Sequence, residues 1–140
     1  MSRELVEKFM VDLESRDVER LRPWFHDASV LWMPPVGKIE GARRILAAFR
    51  IIFRGYSDLH WNVTNIMDAG NRRFVYETDS WGTIGKSTPY KNHILTIIDF
   101  DEHGRIVFLS DYFKDTAIFS AEKKAAESMD PSTPKVVAGQ

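Results

Sequence analysis

The chain has 140 residues, 44% of them hydrophobic and 28% charged, and a formal net charge of −1. That length and balance fit one globular domain with one core, and intermixed acids and bases are the wrong electrostatics for nucleic acid or an anionic membrane as main partner. The chain has no cysteine, which excludes disulfides, thiolate zinc sites and cysteine nucleophiles.

Ser2 is expected to cap a first helix whose apolar stripe is Leu5, Val6, Phe9, Met10 and Leu13. Asp17 caps a shorter one carrying Val18, Leu21, Trp24 and Phe25. Neither stretch has the apolar core of a signal segment, and no apolar run reaches spanning length, so a cytoplasmic location is expected. Residues 30–33 make a short strand, stopped by Pro34, Pro35 and Gly37. Gly41 opens a third helix, with Ile45, Leu46, Phe49, Ile52 and Phe53 on its inner side, and Gly55 closes it.

From Leu59 the period changes from helical to alternating. Strands are predicted over 59–68, 72–83, 90–100 and 106–114, joined by Gly70-Asn71, a loop over 85–89 and the His103-Gly104 turn. An amphipathic helix is predicted over 116–128. Residues 129–140, with Pro131 and Pro134, form a flexible tail, leaving one domain over 1–128. Helices followed by an antiparallel meander is an α+β order. The predicted architecture is a cone-shaped, curved, mostly antiparallel sheet wrapped around N-terminal helices, a cystatin-like α+β barrel with a hollow suited to a small molecule.

The most informative residue is Asp111. On the last strand it alternates with Val107, Leu109 and Phe113, so it lies on an otherwise apolar face. A carboxylate there must be paired, protonated or lining a cavity. Glu77, Asp79 and Trp81 share one parity on a neighbouring strand. Were that face inward, three carboxylates would meet in one cavity and at least one would titrate high; were it outward, Glu77 and Asp79 would pair with Arg72, Arg73 or Lys91. The residue pattern holds no Gly-x-Ser-x-Gly elbow, phosphate-cradling loop or dinucleotide fingerprint. Its four histidines, His26, His60, His93 and His103, show no metal-ligand spacing. No cofactor is expected, and metal ligands are assigned to none of these residues.

Several phrases, taken in order, carry a resemblance: 9–25 running into 28–32, then 41–49, then Tyr90-Lys91-Asn92-His93, then Gly104-Arg105-Ile106 followed by Ser110-Asp111-Tyr112-Phe113. Together they resemble the nuclear transport factor 2-like superfamily, including SnoaL-like polyketide cyclases, ketosteroid isomerases, limonene epoxide hydrolases and phenazine-biosynthesis proteins. The positions of the isomerase base, oxyanion-hole tyrosine and partner acid hold Pro34, Phe9 and about Thr96 here, so that route is not implied. For the epoxide hydrolases, Asp111 and Asp79 match the two aspartates, but Glu77 stands at the arginine position, with Val30 and Trp32 near those of the tyrosine and asparagine. The cyclases' single acid on the last strand matches Asp111.

The resemblance therefore implies a cofactor-independent cyclase or isomerase that moves a proton on a hydrophobic, carbonyl-bearing small molecule, such as a polyketide. Asp111 and Asp79 are the catalytic candidates. Trp32, Glu77, Trp81, Asn92, Thr96, Leu109 and Phe113 are the substrate-binding candidates. A limonene-type epoxide hydrolase and a non-catalytic small-molecule-binding protein are the alternatives, and turnover itself stays open. The opposite sheet face, with His93, Leu95, Ile97, Phe108 and Tyr112, is too apolar for water: the resemblance implies a homodimer through it, and cover by the helix predicted over 116–128 is the alternative.

Overall fold

The structure, a computed structural model, describes residues 2–119. Helix α1 (Glu4–Glu14) buries Val6, Phe9, Met10 and Leu13, the three- and four-residue spacing that makes one helical stripe. Its N-cap is Arg3, which makes no side-chain capping bond, so the expected Ser2 cap is not formed. Asp17 caps α2 (Val18–Leu21) as expected, accepting from the Glu19 backbone N–H at 2.9 Å. A 3-10 turn over Arg22–Trp24 completes the N-terminal layer. Helix α3 (Ala42–Arg54) lies between Gly41 and Gly55 and buries Ile45, Leu46, Phe49 and Phe53.

Six strands form one curved, unclosed sheet in the order β2-β1-β6-β5-β4-β3. They are β1 (Val30–Met33), β2 (Gly37–Glu40), β3 (Tyr56–Gly70), β4 (Arg73–Ile84), β5 (Thr88–Phe100) and β6 (Ile106–Phe113). Strands β3 to β6 make the expected antiparallel meander. Strand β2 follows directly on the expected stop after Met33. Pro34, Pro35 and Gly37 do not end the sheet there; they turn the chain into a hairpin that pairs Leu31 with Ile39. The other edge of β1 pairs in parallel with β6, Leu31 opposite Leu109, so the sheet is mostly but not wholly antiparallel.

One face of the sheet takes the helices. Its buried residues include Phe74 and Tyr76 on β4, Ile98 on β5 and Leu109 on β6, in one cluster with the α1 and α3 stripes. Burying each such side chain contributes about 1.5–3 kcal/mol. The β3–β4 turn has positive φ at Gly70, Asn71 and Arg72. Residues 117–119 begin the predicted C-terminal helix, whose remainder, with the predicted tail, lies outside the described residues. Among the described residues no helix is long and apolar enough to cross a membrane.

Candidate functional site

Between α1, α3 and the inner sheet face lies a cavity of about 770 Å³, within the size range of small-molecule sites. Its wall is mainly apolar, from Phe9, Met10 and Leu13 on α1 to Leu109 and Phe113 on β6. Among the described residues one carboxyl group lines it, that of Asp111.

Strand register explains what stands beside that group. Tyr76 pairs with Thr96, and Thr96 with Asp111, so three polar side chains form one row across β4, β5 and β6. The Thr96 hydroxyl donates to Asp111 Oδ1 at 2.7 Å. Asp111 is half-buried and lines the cavity, shielded by protein on its other sides. Burial pushes its pKa up to about 6, and the Thr96 hydrogen bond opposes the rise. Tyr76 is 2% exposed, and its phenol lies 3.4 Å from Met10 Sδ. Burial raises the phenol's pKa and the nearby Asp111 raises it further, while the Thr96 hydroxyl eases it, so Tyr76 stays protonated at any physiological pH. A carboxyl group titrating near 6 serves as base when ionised and as acid when protonated, and both forms are populated near neutrality.

Of the nine candidates, Asp111, Thr96, Leu109 and Phe113 line the cavity. Phe113 packs edge-on against Phe119, centroids 4.8 Å apart, at the same wall. The inward facing expected for Glu77, Asp79 and Trp81 is corrected. Strand β4 buries Phe74, Tyr76, Thr78 and Ser80, and the alternate set lies on the opposite face. A one-residue difference in parity exchanges the two faces completely. Asp79 and Glu77 instead hold His93, at 2.8 Å from Nδ1 and 3.1 Å from Nε2. Their hydrogen bonds raise the imidazole's pKa, Asp79 contributing most.

Trp81 is 45% exposed and stacks on His60, centroids 5.4 Å apart. Trp32 also faces outward, because the pairing of Leu31 with Leu109 gives Leu31 and Met33 the inner side of β1. Asn92 is buried, but its amide is committed to the chain. It donates to the Asp115 carbonyl at 2.8 Å and accepts from the Asp115 and His93 N–H groups at 3.1 Å each, and it does not line the cavity. Tyr76, Thr78 and Trp61, absent from the candidate list, line the cavity. Both parities of this stretch alternate, Phe74-Tyr76-Thr78-Ser80 and Val75-Glu77-Asp79-Trp81, and each mixes apolar with polar residues, so alternation alone does not single out the inward set. Among the described residues no three acids, histidines or cysteines are grouped to hold a metal ion.

The family model for the SnoaL-like domain matches residues 6–109. The chain belongs to the SnoaL-like domain family, within the NTF2-like superfamily. Solved structures share this SnoaL-like fold at low identity. An NTF2-like protein of unknown function from Burkholderia pseudomallei superposes with a TM-score of 0.74 at 18% identity, covering 84% of this chain and 95% of that one. A putative SnoaL-like polyketide cyclase from Jannaschia sp. gives 0.72 at 14%, covering 84% and 88%. A Mycobacterium tuberculosis epoxide hydrolase of the limonene epoxide hydrolase-like type gives 0.68 at 21%, covering 92% and 95%. No curated protein sequence matches this SnoaL-like chain significantly.

Proposed function

We propose that this protein is a cofactor-independent cyclase or isomerase acting by proton transfer on a hydrophobic, carbonyl-bearing small molecule. The observation that carries this reading is Asp111, a carboxyl group at the wall of an apolar cavity, hydrogen-bonded to Thr96, its pKa pushed up to about 6 by burial. In this scheme ionised Asp111 takes a proton from the carbon next to a carbonyl, leaving an enolate. For ring closure the enolate carbon attacks a second carbonyl of the same molecule, and Asp111 returns the proton to the alkoxide. For isomerisation the proton returns to another carbon. Tyr76 remains a neutral donor in the same row.

Epoxide opening of the limonene type has less support. Among the described residues neither an arginine nor a second aspartate stands with Asp111 in the register row, whose other members are Thr96, Tyr76 and Ile66. Asp79 serves in this proposal only at the outer face, where it holds His93. We further propose that the outer face mediates a homodimer. By register, Trp32, Ser110, Ile97, Val75 and Met67 form one mostly apolar row across it.

The test is proton exchange. Bicyclic ketones deuterated beside the carbonyl are incubated with the protein, and loss of deuterium is followed by mass spectrometry while binding is measured in parallel. Asp111→Asn is expected to bind the ketones yet exchange no faster than buffer. Binding by both forms with no exchange by either identifies a non-catalytic binder, and ¹⁸O from water in a diol identifies an epoxide hydrolase.

A further inference from the structure

The exposed side of α3 is unusual for a chain of net charge −1. Arg43, Arg44, Arg50 and Arg54 are all exposed there, and the helix sequence ARRILAAFRIIFR contains no acid. None of the four forms an ion pair among the described residues. Glu40 lies in the field of Arg44 but is bonded to Lys38 at 2.8 Å, and Glu19 lies in the field of Arg50 but is bonded to Arg22 at 2.9 Å. The first turn of α3, which holds Arg43 and Arg44, has no acidic residue. Cations there oppose the helix dipole, so helix stability does not account for them.

Of the four, Arg44 lines the cavity. It is exposed, so it belongs to the rim. The same rim carries Val36 and Ile51, which line the cavity and are 63% and 69% exposed. Helix α3 follows the cavity from Arg44 to Phe53, a rise of about 13 Å. Lys38 also lines the cavity, but its ammonium is bonded to Glu40 at 2.8 Å. Among the described residues the apolar cavity thus carries one cation with no bonded acid, Arg44, at its rim, and one carboxyl group, Asp111, on its wall.

We propose that Arg44 is an anion subsite, and that the cavity takes amphipathic acids whose carboxylate sits at the rim while the apolar body enters toward Asp111. This rests on the cavity being the ligand site proposed above. The polarity of binding follows from charge. Asp111 is ionised at pH 8, so a ligand carboxylate beside it meets a like charge in a poorly solvated site. At the rim it meets an arginine not committed to any acid among the described residues. The other arginines of α3 raise the local anion concentration but do not line the cavity.

The probes are decanoate and decan-1-ol, which share an apolar chain and differ in charge. Binding is measured by titration calorimetry at pH 8 on the full chain and on Arg44→Gln, Arg50→Gln and Asp111→Asn. Desolvation alone favours the alcohol in an apolar cavity. A charged hydrogen bond at Arg44 reverses that order, and the expected preference for decanoate is about tenfold. Arg44→Gln is expected to lose the preference with decanol affinity unchanged, whereas Arg50→Gln and Asp111→Asn retain it. Equal or weaker binding of decanoate by the unaltered chain overturns the proposal. So does an Arg50→Gln loss as large as that of Arg44→Gln, which assigns the effect to the general field of the helix, and so does a failure of both probes to bind. A protein with no turnover still passes this test, so failure of the catalytic reading is separable from failure of the subsite.

Discussion

Thr96 and Asp111 face each other across β5 and β6, and the threonine hydroxyl donates to the carboxylate at 2.7 Å. That bond stabilises the charged form and works against the burial that raises the group's pKa. Thr96→Val keeps the side-chain shape and removes the donor. The expected result is an Asp111 pKa above its present value of about 6, seen as an alkaline displacement of the carboxyl band in a pH series of infrared difference spectra. A displacement to lower pH would show that the hydroxyl is not the donor.

Stability should carry the same signature. Because the folded-state pKa of Asp111 is raised, its contribution is present below the unfolded-state value and is lost as pH rises through about 6. Each unit of displacement is worth about 1.4 kcal/mol, and water entering the cavity lessens the effect. Asp111→Asn is therefore expected to be more stable than the unaltered chain at pH 8, by about 1–3 kcal/mol, with the difference shrinking below pH 5. Urea unfolding at the two pH values measures this, and a pH-independent difference would contradict it.

His93, between Asp79 and Glu77, is expected to titrate above the ordinary histidine range. Its share of stability is complete below the unfolded-state pKa and fades as pH climbs through the raised folded value. Asp79→Asn removes the largest cause, so the His93 pKa should fall toward the ordinary value in an NMR titration of the imidazole protons. No movement would mean that the Asp79 contact is absent in solution.

If the outer face joins two copies, Ile97→Glu is expected to halve the mass measured by sedimentation, because it sets a charge in the middle of the row from Trp32 to Met67. The cavity lies on the other side of the sheet, so decanol binding should persist. A monomeric unaltered chain would end the dimer proposal.

Gly82 pairs with Leu59 across β3 and β4, and an added Cβ would overlap the backbone carbonyl oxygen of the neighbouring Asp58. Gly82→Ala is expected to cost about 1–3 kcal/mol by chemical denaturation. A cost near zero would show that the two strands separate there without strain.

The sequence by itself determined the kind of fold and the place of its key acid. Local chemistry suffices for both. Helical spacing in α1 and α3, alternation in the four long strands and an acid between Leu109 and Phe113 are all properties of neighbours along the chain. Tertiary structure decided which face of β4 points inward, since Tyr76-Thr78 and Glu77-Asp79 offer two alternating sets that no local rule ranks. It also decided the facing of Trp32, through a parallel pairing of β1 with β6 whose partners are 78 positions apart at Leu31 and Leu109. The setting of Asp111 is likewise tertiary, because desolvation depends on what every other segment places around a group, and a cavity exists only once α1, α3 and the sheet have closed on it.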